Sequence, residues 1–151
     1  MTHRVEPITI EAMRGAEAEP LLRAHWEEVA RHKDVMRLSP AWDKYQLMEQ
    51  AGTLFALGAF VGPTLVGYSL NLIGPHLHYS GLIYAQNDVL YVAPGCRKSR
   101  IGLDLIYETE RIARERGAGL MAWHAKEGTA LAGLMPRLGY GVQDIIYARK
   151  L

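Results

Sequence analysis

Arg97, Lys98 and Arg100 stand close together between Pro94-Gly95 and Gly102. A β-rich run ends ahead of them at Val92. Behind them starts the most regular helical stripe in the chain: Gly102, Leu105, Ile106, Thr109, Ile112 and Ala113. The N-terminus of a helix offers unpaired N–H groups and the positive end of the helix dipole, so it attracts anions. Three cations deepen that field, and Gly102 lets a ligand approach the first turn. The chemistry this spacing suggests is a phosphate or pyrophosphate cradle. A solvated basic turn before an ordinary helix is the plainer reading of the same residues. No Gly-Lys-Ser/Thr follows four spacer residues, so the run is not a P-loop. The Gly-x-Gly-x-x-Gly fingerprint of dinucleotide binding is also missing.

Proton transfer needs groups that titrate or hydrogen-bond near the reacting atoms. Asp88, His124 and Glu127 are the candidate bases, and Tyr140, Tyr91 and Tyr84 the candidate acids. Histidine suits transfer near neutral pH. Each also has a plain structural reading: Asp88 satisfying a bulge, His124 packed beside Trp123, the tyrosines in the core. His76-x-His78 would put two imidazoles on one strand face, but third ligands are remote, so no metal is expected. Cys96 is the one cysteine, which excludes an internal disulfide and fits a reducing compartment.

Periodicity supplies the elements that must hold these groups. A first strand is expected over 5–10. Ala18, Leu21, Leu22, His25, Trp26, Val29 and Ala30 recur at helical spacing and predict a helix over 16–31, with Pro20 tolerated near its start. A second helix should follow Ser39 as cap, with Pro40 at its first position and Gly52 at its exit. The pattern then turns β-rich: 53–61 and 64–73 flank Gly62-Pro63 as a hairpin. A third strand is expected over 82–92, with Asn87-Asp88 marking a bulge. The Gly102 helix should end at Gly117. A short strand over 120–125 follows, then a helix through Leu131, Leu134, Met135 and Leu138, bent by Pro136 and ended by Gly139. A last strand is expected over 142–150. The order β-α-α-β-β-β-α-β-α-β implies an α/β (α+β) mixed sheet whose β-α-β unit makes two strands parallel.

At 151 residues the chain has the length of one domain, expected to span 1–151. With 49% hydrophobic and 22% charged residues it has the material for a core, which excludes disorder as the main state. Lys plus Arg is 17 against 16 for Asp plus Glu, so no basic excess points to nucleic acid. The stretch 54–73 is broken by Gly58, Gly62, Pro63 and Gly67 and does not read as a membrane span, and the charged start lacks a signal peptide's apolar run. A cytoplasmic protein without nucleic-acid or membrane partners is expected, and a homodimer is left open.

The loop resembles the acetyl-CoA signature of the GNAT superfamily of N-acetyltransferases. Val92-Ala-Pro94-Gly-Cys-Arg97 is similar to that family's Val-x-Pro-x-x-Arg/Gln, and Arg97-Lys-Ser-Arg100-Ile-Gly102 to its Arg/Gln-x-x-Gly-x-Gly/Ala. Leu134-Met-Pro-Arg-Leu138-Gly139-Tyr140 resembles the family's Leu-Tyr-x-x-x-Gly-Phe/Tyr. Gly67-Tyr68, His76-Leu-His-Tyr79, Asn87-Asp88 and Ile146-Tyr-x-Arg-x-Leu151 look like a branch common in bacteriophages and prophages. The resemblance implies direct acetyl transfer from acetyl-CoA to an amine of a small molecule or protein, without a metal. It implies that Arg97, Lys98, Ser99, Arg100, Ile101, Gly102 and Leu103 hold the pyrophosphate, largely through backbone N–H groups. Leu90, Tyr91 and Val92 would pair with the amide-bearing arm of the cofactor, with one N–H near Val92 polarising the thioester carbonyl. Two departures stand out. Arg100 replaces the first signature glycine, and Met135 falls where a tyrosine commonly serves as general acid. The asparagine that often opens the next helix falls at Gly128-Thr129, and Thr129 is grouped with the cofactor-binding residues. Asp88, His124 and Tyr140 are the expected catalytic residues. The competing expectation is a non-catalytic, cofactor-binding module of the same fold in a phage virion or host interaction.

Overall fold

A computed structural model describes residues 2–151. Five strands form one sheet in the order β1-β2-β3-β4-β5: β1 (Arg4–Ile8), β2 (Leu54–Val61), β3 (Thr64–Pro75), β4 (Ile83–Val92) and β5 (Leu120–Trp123). The first three pairings are antiparallel, and β4 with β5 is parallel. The parallel pair follows from the crossover helix α4 (Ile101–Glu115), which occupies one face of the sheet. The other face carries α1 (Ile10–Arg14), α2 (Glu19–Val29) and α3 (Trp42–Gln50); α5 (Ala130–Leu134) follows β5. This is the mixed α/β sheet that the element order implies.

Strand alternation divides the core. Phe55, Leu57, Ala59, Ile73, Ala85 and Val92 point under α4 and pack on Ile101, Leu105 and Ile112. Leu54, Ala56, Leu70, Tyr68 and Tyr91 point the other way, toward α1–α3. The helical stripe read from the sequence is the buried side of α4; Leu105 and Ile106 are fully buried, each stabilising the fold by ~1.5–3 kcal/mol.

Several expected boundaries move. The first strand stops at Ile8 because Thr9 caps α1, its Oγ1 accepting the Ala12 N–H at 3.2 Å. The expected helix over 16–31 contracts to α2, and α3 starts after Ala41 rather than at the Ser39-Pro40 signal. The 120–125 strand ends at Trp123. The bent helix resolves into α5 and a 3-10 turn, Pro136–Leu138, closed by Gly139 at φ 87°. The largest correction is the strand expected over 142–150: residues 141–151 form no strand. Tyr140 bonds to Glu110 on α4, while Lys150 pairs with Asp34 beyond α2. Held at those points, the segment makes no ladder, and Val142, Ile145, Ile146 and Tyr147 stay exposed. β-branched composition alone does not make a strand without a paired edge.

Candidate active site

β5 keeps company with β4 only from Tyr84↔Leu120 to Asn87↔Trp123. Beyond that rung β4 runs on to Val92, while the chain leaves β5 as a loop at His124. The sheet is therefore open along residues 88–92 of β4. Ala93 N–H donates across to Val66 O on β3 at 2.8 Å. By strand alternation Tyr91 also faces β3, whereas the main-chain groups of Leu90 and Val92 face the opening. Val92 O on that side accepts Arg97 Nε at 2.8 Å, leaving the Leu90 and Val92 N–H groups as edge donors.

The basic loop begins where this edge stops. A 3-10 turn, Pro94–Cys96, leads through Arg97 and Lys98 into α4. Ser99 organises the entry: its Oγ donates to Cys96 O at 2.6 Å and accepts Ile101 N–H at 3.3 Å. Ser99 N–H bonds Cys96 O. Two of the expected backbone donors, Ser99 and Ile101, are thus engaged within the loop. Gly102 and Leu103, in the first turn, have no carbonyl one turn back in the helix to accept their N–H groups. A Cβ on Gly102 would meet only Val92 Cγ2, at 3.9 Å, an ordinary contact. Packing therefore does not require this glycine, and the bare turn leaves room for close approach of a ligand. Arg100 sits at φ −77° in the helical region, with its side chain 71% exposed, so a side chain at this position leaves the cradle clear. The residues fit a bound pyrophosphate.

Arg97 is committed elsewhere. Its guanidinium forks onto Glu28 of α2, at 2.7 and 2.6 Å, and lies 5.2 Å over the Tyr91 ring. Tyr91 Oη donates to Glu28 at 3.0 Å. Arg97 holds the Glu28 carboxyl below its ordinary range; burial and Glu28 push the Tyr91 phenol up. His25, one turn before Glu28, stacks on Tyr91 at 4.6 Å and shares a hydrogen bond with Tyr68 Oη. Burial, and then Lys126, lower His25 to about 4, so it is neutral at pH 7. In the sequence His25 is one member of the apolar helical stripe over 16–31, and Glu28 carries no motif. Their i, i+3 spacing on one helix face is the signal that could have joined them to Tyr91.

Asp88 lies on the α1–α3 face, where it accepts Tyr45 Oη at 3.3 Å. Burial and Asp88 raise the Tyr45 phenol. His124 is exposed at the start of the departing loop. Across the opening, Lys126 Nζ donates to Val29 O at 2.9 Å and Arg31 to Glu127 O at 2.6 Å, tying that loop to the end of α2. Thr129 caps α5 and donates to Lys126 O at 2.6 Å, so its hydroxyl is taken up locally. Tyr140 is separated from Asp88: its hydroxyl bonds Glu110 on α4, where Trp123 Nε1 also donates, and burial with Glu110 raises its phenol. Met135 is buried. Tyr84 packs edge-on against His76, whose Nδ1 accepts the His78 N–H. Among the described residues no group of three His, Cys, Asp or Glu could hold a metal, and no helix is long and apolar enough to cross a membrane.

A profile of the Acetyltransferase (GNAT) family matches residues 17–140. No curated protein matches at a significant level. Solved structures share the fold across the whole chain. A ribosomal-protein-alanine N-acetyltransferase from Brucella melitensis biovar Abortus 2308 has a TM-score of 0.74 at 21% identity, covering 99% of each chain. An aminoglycoside acetyltransferase from an uncultured soil metagenomic sample has 0.77 at 17%, covering 100% of this chain and 99% of its own. A GCN5-related N-acetyltransferase from Ralstonia eutropha JMP134 has 0.77 at 20%, covering 99% of each.

Proposed function

The chain belongs to the GNAT acetyltransferase family, and on that premise we propose that it is an acetyl-CoA-dependent N-acetyltransferase, a single domain over 1–151. Acetyl-CoA supplies an activated thioester. The amine nitrogen bonds to its carbonyl carbon, the carbon–sulfur bond breaks, and the CoA thiol leaves. The observation that carries this reading is the open edge of β4 leading into a helix N-terminus whose Gly102 is not needed for packing. Leu90 and Val92 N–H groups would pair with the cofactor's amide arm and polarise the thioester carbonyl. The N–H groups of Gly102 and Leu103, with Lys98 and Arg100, would hold the pyrophosphate. Arg97, braced on Glu28, would shape the wall between cofactor and acceptor rather than grip phosphate.

The acceptor would enter on the α2 face. Asp88 is half-buried there and is the favoured base for the ammonium proton; His124, exposed across the opening, is the rival. Tyr140, bonded to Glu110, would return a proton to the thiolate only through an intervening group. That separation, with Met135 at the usual tyrosine position, favours the second reading: a fold that binds CoA without turning over. Gly67-Tyr68, His76-Leu-His-Tyr79, Asn87-Asp88 and Ile146-Tyr-x-Arg-x-Leu151 support placement in a branch frequent in phage genomes, and the single cysteine supports a cytoplasmic setting.

The deciding experiment is a thiol-release assay with acetyl-CoA beside calorimetric CoA titration. The amine panel should include an alanine-terminated peptide and an aminoglycoside, since named structural neighbours act on such groups. Thiol release that depends on one amine class supports the enzyme. Tight CoA binding with no release across the panel supports the module, and no CoA binding sinks both.

A further inference from the structure

Four polar side chains lie fully buried between the sheet and α4: Ser69 and Asn71 on β3, Asn87 on β4 and Thr109 on α4. Left unpaired, each such group would cost ~1–3 kcal/mol. Instead they bond largely to one another. Ser69 Oγ meets Thr109 Oγ1 at 3.0 Å, and Asn71 Nδ2 donates to Ser69 Oγ at 3.0 Å. Asn87 Nδ2 is the hub, 2.9 Å from Asn71 Oδ1, 3.0 Å from Val89 O, and 3.3 Å from both Leu70 O and Ser69 Oγ. Asn87 Oδ1 is buried with no partner among the described residues. Three of the four atoms around Nδ2 can only accept, so the amide must present its NH2 there and leave its oxygen unmatched. The acetyl-transfer reading uses none of these atoms.

Their place in the register gives them a meaning. Leu70 pairs with Val89, and the next rung is Asn71 with Asn87, so Asp88 is an extra residue in β4. Asn87 donates to a carbonyl on each side of the mismatch, Leu70 O on β3 and Val89 O on its own strand. The extra residue changes parity. Ala85 and Asn87 face α4; Asp88 and Val89 both face α1–α3; Leu90 and Val92 return to the α4 side, and Tyr91 meets α2. If Asp88 were absorbed into regular alternation, Val89 and Tyr91 would turn under α4 and leave His25 and Glu28 without their partner.

We propose that Asn87 is a positioning residue whose carboxamide locks the β4 bulge, holding Asp88 and Tyr91 on the α1–α3 face while the Leu90 and Val92 N–H groups line the opening. A buried polar network of this kind selects one arrangement of the strand, because slipping it would strand several polar groups at once. The register lock stands on geometry alone; its effect on turnover rests on the acetyl-transfer reading.

The test compares Asn87→Val with Asn87→Val in which Asp88 is also deleted. Deleting the extra residue restores simple alternation with Tyr91 still on the α2 face, so no lock is needed. Backbone amide exchange at Tyr91 and Ala93, referenced to amides of β2, reads the register. Asn87→Val should lower protection there at least ~10-fold, and the deletion should bring it back to within about threefold of the parent. If the parent turns over, Asn87→Val should lower kcat roughly 100-fold, the scale of a misplacement near 1 Å. Protection retained in Asn87→Val overturns the lock, as does a deletion that fails to restore it; unchanged kcat in an active protein overturns the positioning role. If Asn87→Val does not fold, a folded deletion variant supports the lock and an unfolded one overturns it. A parent without acetyl transfer defeats the functional reading while the exchange result still decides the register.

Discussion

The two sides of β4 do their work with different materials. Toward α4 and the loop, the groups that could touch a ligand are backbone donors: Leu90 and Val92 at the open edge, Gly102 and Leu103 at the helix start. Toward α2 and α3 the groups are side chains, with Tyr91 stacked on His25, Glu28 gripped by Arg97, and Asp88 bonded to Tyr45. Backbone donors survive changes of side chain so long as the conformation holds, which is how Arg100 can stand in place of a glycine. A side-chain network depends on each member, and a single substitution there leaves buried or charged partners unmatched. The first side should therefore be robust in cofactor binding, and the second sensitive in turnover and pH response.

The largest expected effect tests the side-chain face. Asp88→Asn keeps volume but removes the proposed base, and turnover should fall ~10²–10⁴-fold with CoA affinity nearly unchanged. His124→Ala, at an exposed position, should change turnover less than about tenfold. Steady-state kinetics beside calorimetry separates the two. A reversed ranking moves the proton acceptor to the departing loop and breaks the division drawn here.

Next is the backbone face. Gly102→Asp places bulk and negative charge where phosphate should sit, and CoA binding should weaken by about 100-fold or more, ~2.7 kcal/mol. The added Cβ has room against Val92, so the melting temperature should move little. A folded variant that binds CoA like the parent would remove the cradle from the α4 terminus.

The contrast also decides what sequence could reveal. The loop at the head of α4 was legible because it is local: Pro94-Gly95, the cations and Gly102 are neighbours in the chain, and the α4 stripe follows at once. The bulge at Asn87-Asp88 was legible as poor strand chemistry, but not which way Asp88 would point, because that depends on a network closed by Ser69, Asn71 and Thr109 on other elements. In the sequence Thr109 is one more residue of the α4 stripe. His25 and Glu28 gained their partners only when α2 came to lie over Tyr91, and Arg97 was drawn from the phosphate group to Glu28 by a contact across 69 positions. The closing strand failed for the same reason: Val142, Ile145 and Ile146 have strand chemistry, but pairing is decided by a distant edge.

Titration offers a smaller effect on the side-chain face. His25 is lowered to about 4 by burial, whereas an unfolded histidine titrates near ~6.5. Between those values the unfolded chain binds a proton that the folded chain refuses, so stability falls as pH falls through that window and is fully present above it. The expected loss is about 2 kcal/mol, trimmed by the ring's partial exposure. Denaturant melts at pH 7 and pH 4.5 should show it, and His25→Phe, which keeps a ring beside Tyr91, should flatten that part of the slope. An equal slope in the variant would assign the acid sensitivity to Glu28 or other carboxylates.

The smallest expected effect returns to the backbone face and to Arg100. Arg100→Gly removes one cation but leaves the N–H groups of Gly102 and Leu103 in place. Arg100 already has helical φ and ψ, so glycine relieves no strain there, and its ion pair with Asp104 is long at 3.5 Å and exposed. Such a pair contributes ~0–1 kcal/mol. The charge faces solvent, where salt screens it over ~8–10 Å. CoA affinity should therefore shift by less than about tenfold, ~1.4 kcal/mol, and the difference from the parent should shrink as salt is raised. Calorimetric titration at two ionic strengths measures both. A gain near 100-fold would mean that the Arg100 side chain folds back over the cradle, and backbone donors would then not be enough to explain binding on this face.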